Sequence, residues 1–238
     1  MKNQALARAV SHKRLDSIEL LVTNGAEIEA IPFIDVLRAW DPTIIRYFIS
    51  RGADFTTGSP FTTAFGEKIR TALHPWKECK ENHPEVADQL QEQIDRALRH
   101  FCFEGDLKWV SLLMWAGANP RSVGPLIDEA YELDESEYLD ALSAAACRED
   151  VKILKRLGPD VAKDNLDKLL VEAARHAHPD VVAYLLKLGA RADDKSAKGS
   201  TALTECLSWG VTSAAFSSPF WIAMELVRKR QNTQSTRL

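Results

Sequence analysis

Internal repetition restricts this chain more than any other feature. The string LARAVSHKRLDSIELLVTNGAE begins at Leu6, PFIDVLRAWDPTIIRYFISRGAD at Pro32, LRHFCFEGDLKWVSLLMWAGAN at Leu98 and LVEAARHAHPDVVAYLLKLGAR at Leu170. In all four a small or apolar pair stands at the same offset ahead of a Gly-Ala dipeptide: Ala9 and Val10, Val36 and Leu37, Phe101 and Cys102, Ala173 and Ala174. A short unit repeated in this way cannot cover its own apolar face, so stacking on its neighbours must supply the core.

Each copy has the same layout. A short apolar segment is followed by a polar break at His12–Arg14, Trp40–Pro42, Glu104–Asp106 or His176–Pro179. A run with helical spacing comes next, such as Ile18, Leu21 and Val22, or Val181, Val182, Leu185 and Leu186. The spacing predicts two antiparallel helices joined by a tight turn. The second helix should stop at Gly25, Gly52, Gly117 or Gly189, where a residue without a β-carbon adopts the left-handed conformation that closes a helix.

The distances between these glycines predict hidden copies. Gly25 to Gly52 spans one short unit, whereas Gly52 to Gly117 and Gly117 to Gly189 each span about twice a repeat of roughly 33 residues. One degenerate copy should open at Ser59–Phe65 with an enlarged second half through Gln89–Ala97, and another should occupy Ala141–Asp160 with Gly158 as its stop. A shortened unit starts at Gly199, for about seven in all, four clear and three degenerate. The expected organisation is one domain over residues 1–230, atypical at about 66–96, with a disordered tail at 231–238.

These copies resemble the ankyrin repeat family. The clearest match is LLVEAARHAHPDVVAYLLKLGARADDKSAKGSTAL from Leu169 to Leu203, in which Gly199, Thr201 and Leu203 stand where the family places its Gly, Thr and Leu, and Ala202 replaces the usual Pro. Pro32, Pro60 and Pro125 hold the helix-opening position elsewhere, where a missing N–H is harmless. The resemblance covers about residues 4–228. It departs at a shortened link between the first two copies, at the absent family His and at residues 66–96. It implies an all-α helical solenoid of stacked helix pairs. Tetratricopeptide arrays lack the Gly-Ala stop.

Chemistry-bearing motifs are absent from the sequence. No Gly-rich phosphate loop, nucleophile elbow or His-Glu-x-x-His pattern occurs. His176 and His178 are two apart, and Cys79 and His83 four apart, with no further ligands at matched spacing, so no metal and no cofactor are expected. An enzyme would need a site hidden in residues 66–96 around His74, Cys79 and His83. A net charge of -4 without a basic stripe argues against nucleic acid. Cys79, Cys102, Cys147 and Cys206 lie far apart without a secretory leader, which predicts reduced thiols and a cytoplasmic location. The uncharged stretch Cys206–Met224 is long enough for a membrane span but contains Gly210, Pro219 and several hydroxyl residues, so a buried helix pair is the better account.

Binding is the function that remains. The resemblance implies a non-enzymatic module that grips a protein partner through a concave face of first helices, turns and hairpin tips. On this sequence that face maps to Arg8, Asp35, His100 and Glu172 on first helices and to Lys13, Trp40, Glu104, His176 and Trp209 in turns. Trp40 and Trp209 are the sharpest candidates, because a large aromatic in a polar turn needs a partner or a packing neighbour to cover it. Trp109 replaces a core aliphatic and is expected to be structural, and Trp115 is open to either reading. Between Ser122 and Cys147 acidic residues from Asp128 to Asp140 occur without Lys or Arg, which suits a partner with a basic surface. The alternative function is a dedicated regulatory or inhibitory subunit of an enzyme or toxin.

Overall fold

A computed structural model describes residues 1–127, 138–192, 199, 201–202, 204–205 and 225–229. Its helices come in pairs: α1 (Lys2–Ser11) with α2 (Leu15–Thr23), α3 (Phe33–Leu37) with α4 (Pro42–Ser50), and α5 (Pro60–Gly66) with α6 (Leu73–Asn82). There follow α7 (Ala87–Glu104) with α8 (Leu107–Ala116), α9 (Ala141–Ala146) with α10 (Val151–Leu157), and α11 (Leu166–Arg175) with α12 (Pro179–Leu188). No strand occurs among the described residues, whose nearest approach to one is an isolated antiparallel bridge between Gly124 and Leu139.

The residues cluster into two compact units. The first is built from Met1–Ala97 and Trp115–Asn119 together with residues 126–127, and the second from Leu98–Met114, Pro120–Pro125 and the described residues from 138 onward. Within the first, α1 packs on α3 and α3 on α5, while α4 packs on α6. Within the second, α9 packs on α11 and α10 on α12. First helices therefore stack on first helices and second on second, the arrangement that a repeat too thin to stand alone requires. Leu6, Ile18, Val36, Leu37, Ile44, Ile45, Phe48, Phe61 and Phe65 are inaccessible in the first unit, and Val110, Leu113, Ile153, Leu154, Leu170, Ala173, Ala174, Val181, Val182 and Leu185 in the second.

Local chemistry sets the ends of the helices. Asp41, Asp140, Asp150 and Asn165 cap α4, α9, α10 and α11 by accepting the N–H of Thr43, Ser143, Lys152 and Lys168. The expected stops Gly25, Gly52, Gly117, Gly158 and Gly189 all have left-handed φ, between 67° and 112°. At Gly52 an added β-carbon would meet nothing within 4 Å, so the cost of a side chain there is purely conformational. Gly52→Ala is expected to lower stability by about 1 kcal/mol, read as a reduced urea midpoint at unchanged slope.

The hairpin leading from α4 to α5 is tied by Asp54. Its carboxylate accepts from the Thr56 N–H and hydroxyl, each at 2.8 Å, and from the Thr57 N–H at 3.1 Å. The Thr57 hydroxyl is the largest of several donors that hold the carboxyl well below the usual range. A depressed folded-state value means that the contribution is complete above the unfolded value of about 3.8 and is lost as pH falls below it. Unfolding should therefore become easier from about pH 4 downward, and Asp54→Asn should flatten that part of the urea-midpoint profile.

Two sequence expectations are corrected. Gln89–Ala97 does not form the second half of the third copy. Its second helix is α6, and Gln89–Ala97 instead extends α7, the first helix of the fourth copy, to 18 residues. Leu90, Ile94, Ala97, Leu98 and Phe101 form one unbroken buried stripe at helical spacing, so nothing separates the extension from the repeat it leads into. Pro125 does not open a helix. Its carbonyl accepts from Arg99, and the fifth copy opens at Ala141 behind its Asp140 cap. The short link between the first two copies is reduced to a single 3-10 turn at Ile28–Ala30, followed by the five residues of α3. The tail at 231–238, Trp209 and the stretch Cys206–Met224 lie outside the described residues.

Candidate functional site

The turn between the two helices of a copy reverses the chain in very few residues, and the backbone shows the cost. In the first unit a left-handed residue occurs there in each of the three copies: Lys13 at φ 54°, Trp40 at 57° and Lys68 at 61°. In the second unit Gly105 at 83° and Ala177 at 54° hold the same place. Only glycine takes this conformation without a steric penalty, which is about 1–2 kcal/mol for other residues. Lys13, Trp40 and Lys68 are all exposed, Trp40 to 47%. Because α1, α3 and α5 stack in order, these three turns fall at equivalent positions on one edge of the first unit, a tryptophan between two lysines.

Carboxylates on the first helices serve a purpose the sequence had not suggested. Asp35 binds Arg38 one turn later at 3.0 Å, and Arg38 also reaches Glu67 of the next copy through its Nε at 3.0 Å. In the second unit Glu172 binds Arg175 at 3.0 Å, and Arg175 reaches Glu205 of the next copy at 3.4 Å. An acid before the small pair and an arginine after it thus recur as a clamp between copies. The exposed Asp35–Arg38–Glu67 set contributes little stability, about 0–1 kcal/mol per pair, whereas the Glu172–Arg175–Glu205 set is part-buried.

The remaining expected partner-facing residues separate by exposure. Arg8 and Glu104 are exposed, as is Asp35 despite its ion pair. His100 is half-buried and packs edge-on against Phe101 at 5.1 Å, which makes it part of the core margin. Trp109 is 3% exposed and stacks on Phe101 at 5.2 Å, as its core position predicts. Trp115 is 74% exposed at the end of α8. Asp128–Glu137 of the acidic segment lie outside the described residues, and Asp140 is engaged as the α9 cap.

In the first unit the structure places His74, Cys79 and His83 separately. His74 is 70% exposed and pairs with Glu78, while His83 pairs with Glu85. Cys79 is buried between them in sequence, its thiol pushed up to about 12 by burial. Among the described residues these three do not form a cluster of ligand atoms. In the second unit a cavity of about 220 Å³ is lined by Arg121, Asp140, Ser143, Lys163, Asp164 and Lys168, among others. Both of its carboxylates are already engaged, Asp164 by Arg121 at 2.7 Å and Asp140 by the cap.

One cluster was invisible to motif reading. Cys147 ends α9, Glu172 and His176 lie one turn apart at the end of α11, and their ligand atoms all fall within 4.8 Å of one another. Sequence spacing gave His176 no company because the missing donor comes from the preceding copy, 29 residues away. Burial pushes the Cys147 thiol up to about 12, with Glu172 adding to the rise. His176 is open to solvent on one side, and the partial burial of its ring holds it below the usual histidine value, with His178 and two arginines acting in the same direction.

Comparison with known proteins bears on the fold. The ankyrin repeat domain of human ASB11 superposes with a TM-score of 0.53 at 16% identity, covering 94% of this chain and 96% of that one. The fold is that of an ankyrin repeat domain. No family model matches the chain, and no curated protein does. Among the described residues no helix is long and apolar enough to cross a membrane.

Proposed function

We infer that this ankyrin array is a non-enzymatic module that binds a protein partner along its turn edge, with Trp40 as the central anchor. The observation that carries this reading is a bulky aromatic, half-exposed, held at a left-handed turn position where glycine would be favoured. The left-handed conformation recurs at the equivalent turns of other copies, including Lys13, Lys68 and Ala177, so it belongs to the fold, and what singles out this position is the exposed indole placed on it. Tryptophan is the side chain most enriched at interface hot spots. The lysines at the equivalent turns on either side, Lys13 and Lys68, suit a partner segment that presents an apolar group flanked by carboxylates. In the first unit Arg8 and the clamp residue Asp35 form the polar rim of this surface, and Glu104, Glu172 and Trp209 take the equivalent places in the sequences of later copies.

The test begins with the full chain as bait and identification of the captured protein by mass spectrometry. Affinity for that protein is then measured for variants on the turn edge and on the outward side of the second helices. Loss confined to the turn edge supports the reading; loss confined to positions such as Leu20, which is 65% exposed on α2, moves the interface to the opposite side. A dedicated inhibitory subunit would use the same edge and would differ in co-purifying with one partner in fixed stoichiometry.

A further inference from the structure

We propose that Cys147, Glu172 and His176 form a binding site for a zinc-class divalent cation, with a fourth position open to solvent. Three chemically different donors meet at one corner: a sulfur, a carboxylate oxygen and a ring nitrogen, all within 4.8 Å of one another. Zinc bonds of about 2.0–2.3 Å in a tetrahedral site place ligand atoms roughly 3.3–3.8 Å apart. Side-chain rotation of an exposed imidazole closes the remaining gap. The exposure of His176 and the half-burial of Cys147 and Glu172 give the ion a route in from solvent.

The donor set selects the metal. Magnesium and calcium take oxygen ligands and gain nothing from a thiol or an imidazole, whereas thiolate, imidazole and carboxylate together suit zinc. Three protein ligands with one open position match the open type of zinc site. Binding displaces the thiol proton to solvent as the sulfur–metal bond forms, so the charge of the bound ion is partly offset at once.

The surroundings are arranged for this role and also limit it. His178 Nε2 lies 3.0 Å from the Cys147 carbonyl oxygen, which fixes the backbone that carries the thiol. The left-handed Ala177 turns the chain so that His176 stays at the corner while His178 leads into α12. Their rings lie nearly parallel, 6.0 Å apart, and His178 is a positioning residue. Arg175 binds Glu172 on one edge, and a carboxylate has about four lone-pair positions, so the metal takes another. Arg175 is in turn neutralised by Glu205. The nearby cations Arg148, Arg175 and Lys168 repel a divalent ion while they favour the thiolate form of Cys147 that would bind it.

Cobalt(II) titration of the chelator-washed, reduced and untagged full chain tests the site. One equivalent should produce a thiolate-to-cobalt charge-transfer absorption that zinc displaces. Cys147→Ser should abolish the band, His176→Ala should weaken binding 100-fold or more, and His178→Ala should weaken it 10- to 100-fold with the band retained. Cys206→Ser should leave all of this unchanged. Circular dichroism establishes that each variant keeps its helix content, and if Cys147→Ser loses helix the exposed His176→Ala decides in its place. The absence of a band, a band that survives Cys147→Ser, or one lost in Cys206→Ser overturns the assignment.

Discussion

Replacing Trp40 with glycine is expected to weaken partner binding about 30-fold or more while leaving the fold no less stable. The binding loss follows from the hot-spot cost of truncating an anchoring tryptophan, about 2 kcal/mol or more. The stability result follows from the backbone. At φ 57° the tryptophan carries about 1–2 kcal/mol of left-handed strain that glycine lacks. Glycine adds back roughly 0.5–1 kcal/mol through the greater freedom of the unfolded chain. With 47% of the side chain in solvent, little burial is forfeited, so the terms nearly cancel or favour the variant. Trp40→Ala separates the two effects, because it loses the same anchor but keeps the strain. If both variants bind as the parent does, the turn edge is not the interface. If both lose stability by several kcal/mol, the indole is a packing element instead.

Different parts of this molecule were legible to different degrees, and the reason is the range over which each is encoded. The glycine stops at Gly25, Gly52, Gly117, Gly158 and Gly189 were readable because left-handed closure is decided by one residue and its immediate neighbours. The pairing of helices was readable because apolar spacing within about ten residues reports it. The assignment of Gln89–Ala97 failed because the periodic stripe from Leu90 to Phe101 has no internal mark showing which copy it belongs to. Only packing decides that, through bonds such as Phe61 N–H to Gln93 Oε1 at 2.9 Å and Asn119 N–H to Asp95 at 2.6 Å. Pro125 misled for a similar reason, since a proline marks a break in the chain and does not distinguish a helix start from a loop. The corner of Cys147, Glu172 and His176 failed at the longest range. Its donors become neighbours only when one copy lies on the next, so the relevant spacing is the repeat itself. Aligning the ends of first helices in successive copies, rather than scanning for ligand motifs, would have brought Cys147 and His176 together.

The second large effect concerns residues 66–96, where the family pattern is lost. Trp76→Ala is expected to cost about 3–5 kcal/mol, the usual penalty for emptying a fully buried aromatic position. Trp76 is 1% exposed, its indole N–H donates to the Leu90 carbonyl at 2.9 Å, and the Lys80 ammonium lies 5.5 Å from the ring centroid. The hydrogen bond joins α6 to the extended start of α7, so the side chain is the link that lets a long first helix replace a standard one. Trp76→Phe should cost only about 1–2 kcal/mol, because most of the buried volume stays and one carbonyl loses its donor. His74→Ala, at a 70% exposed side chain on the same helix, should stay within about 0.5 kcal/mol. This ordering, measured as urea midpoints at constant slope, marks the atypical segment as structural support for the array. If Trp76→Ala instead cost no more than His74→Ala, the indole would not be the link between α6 and the start of α7.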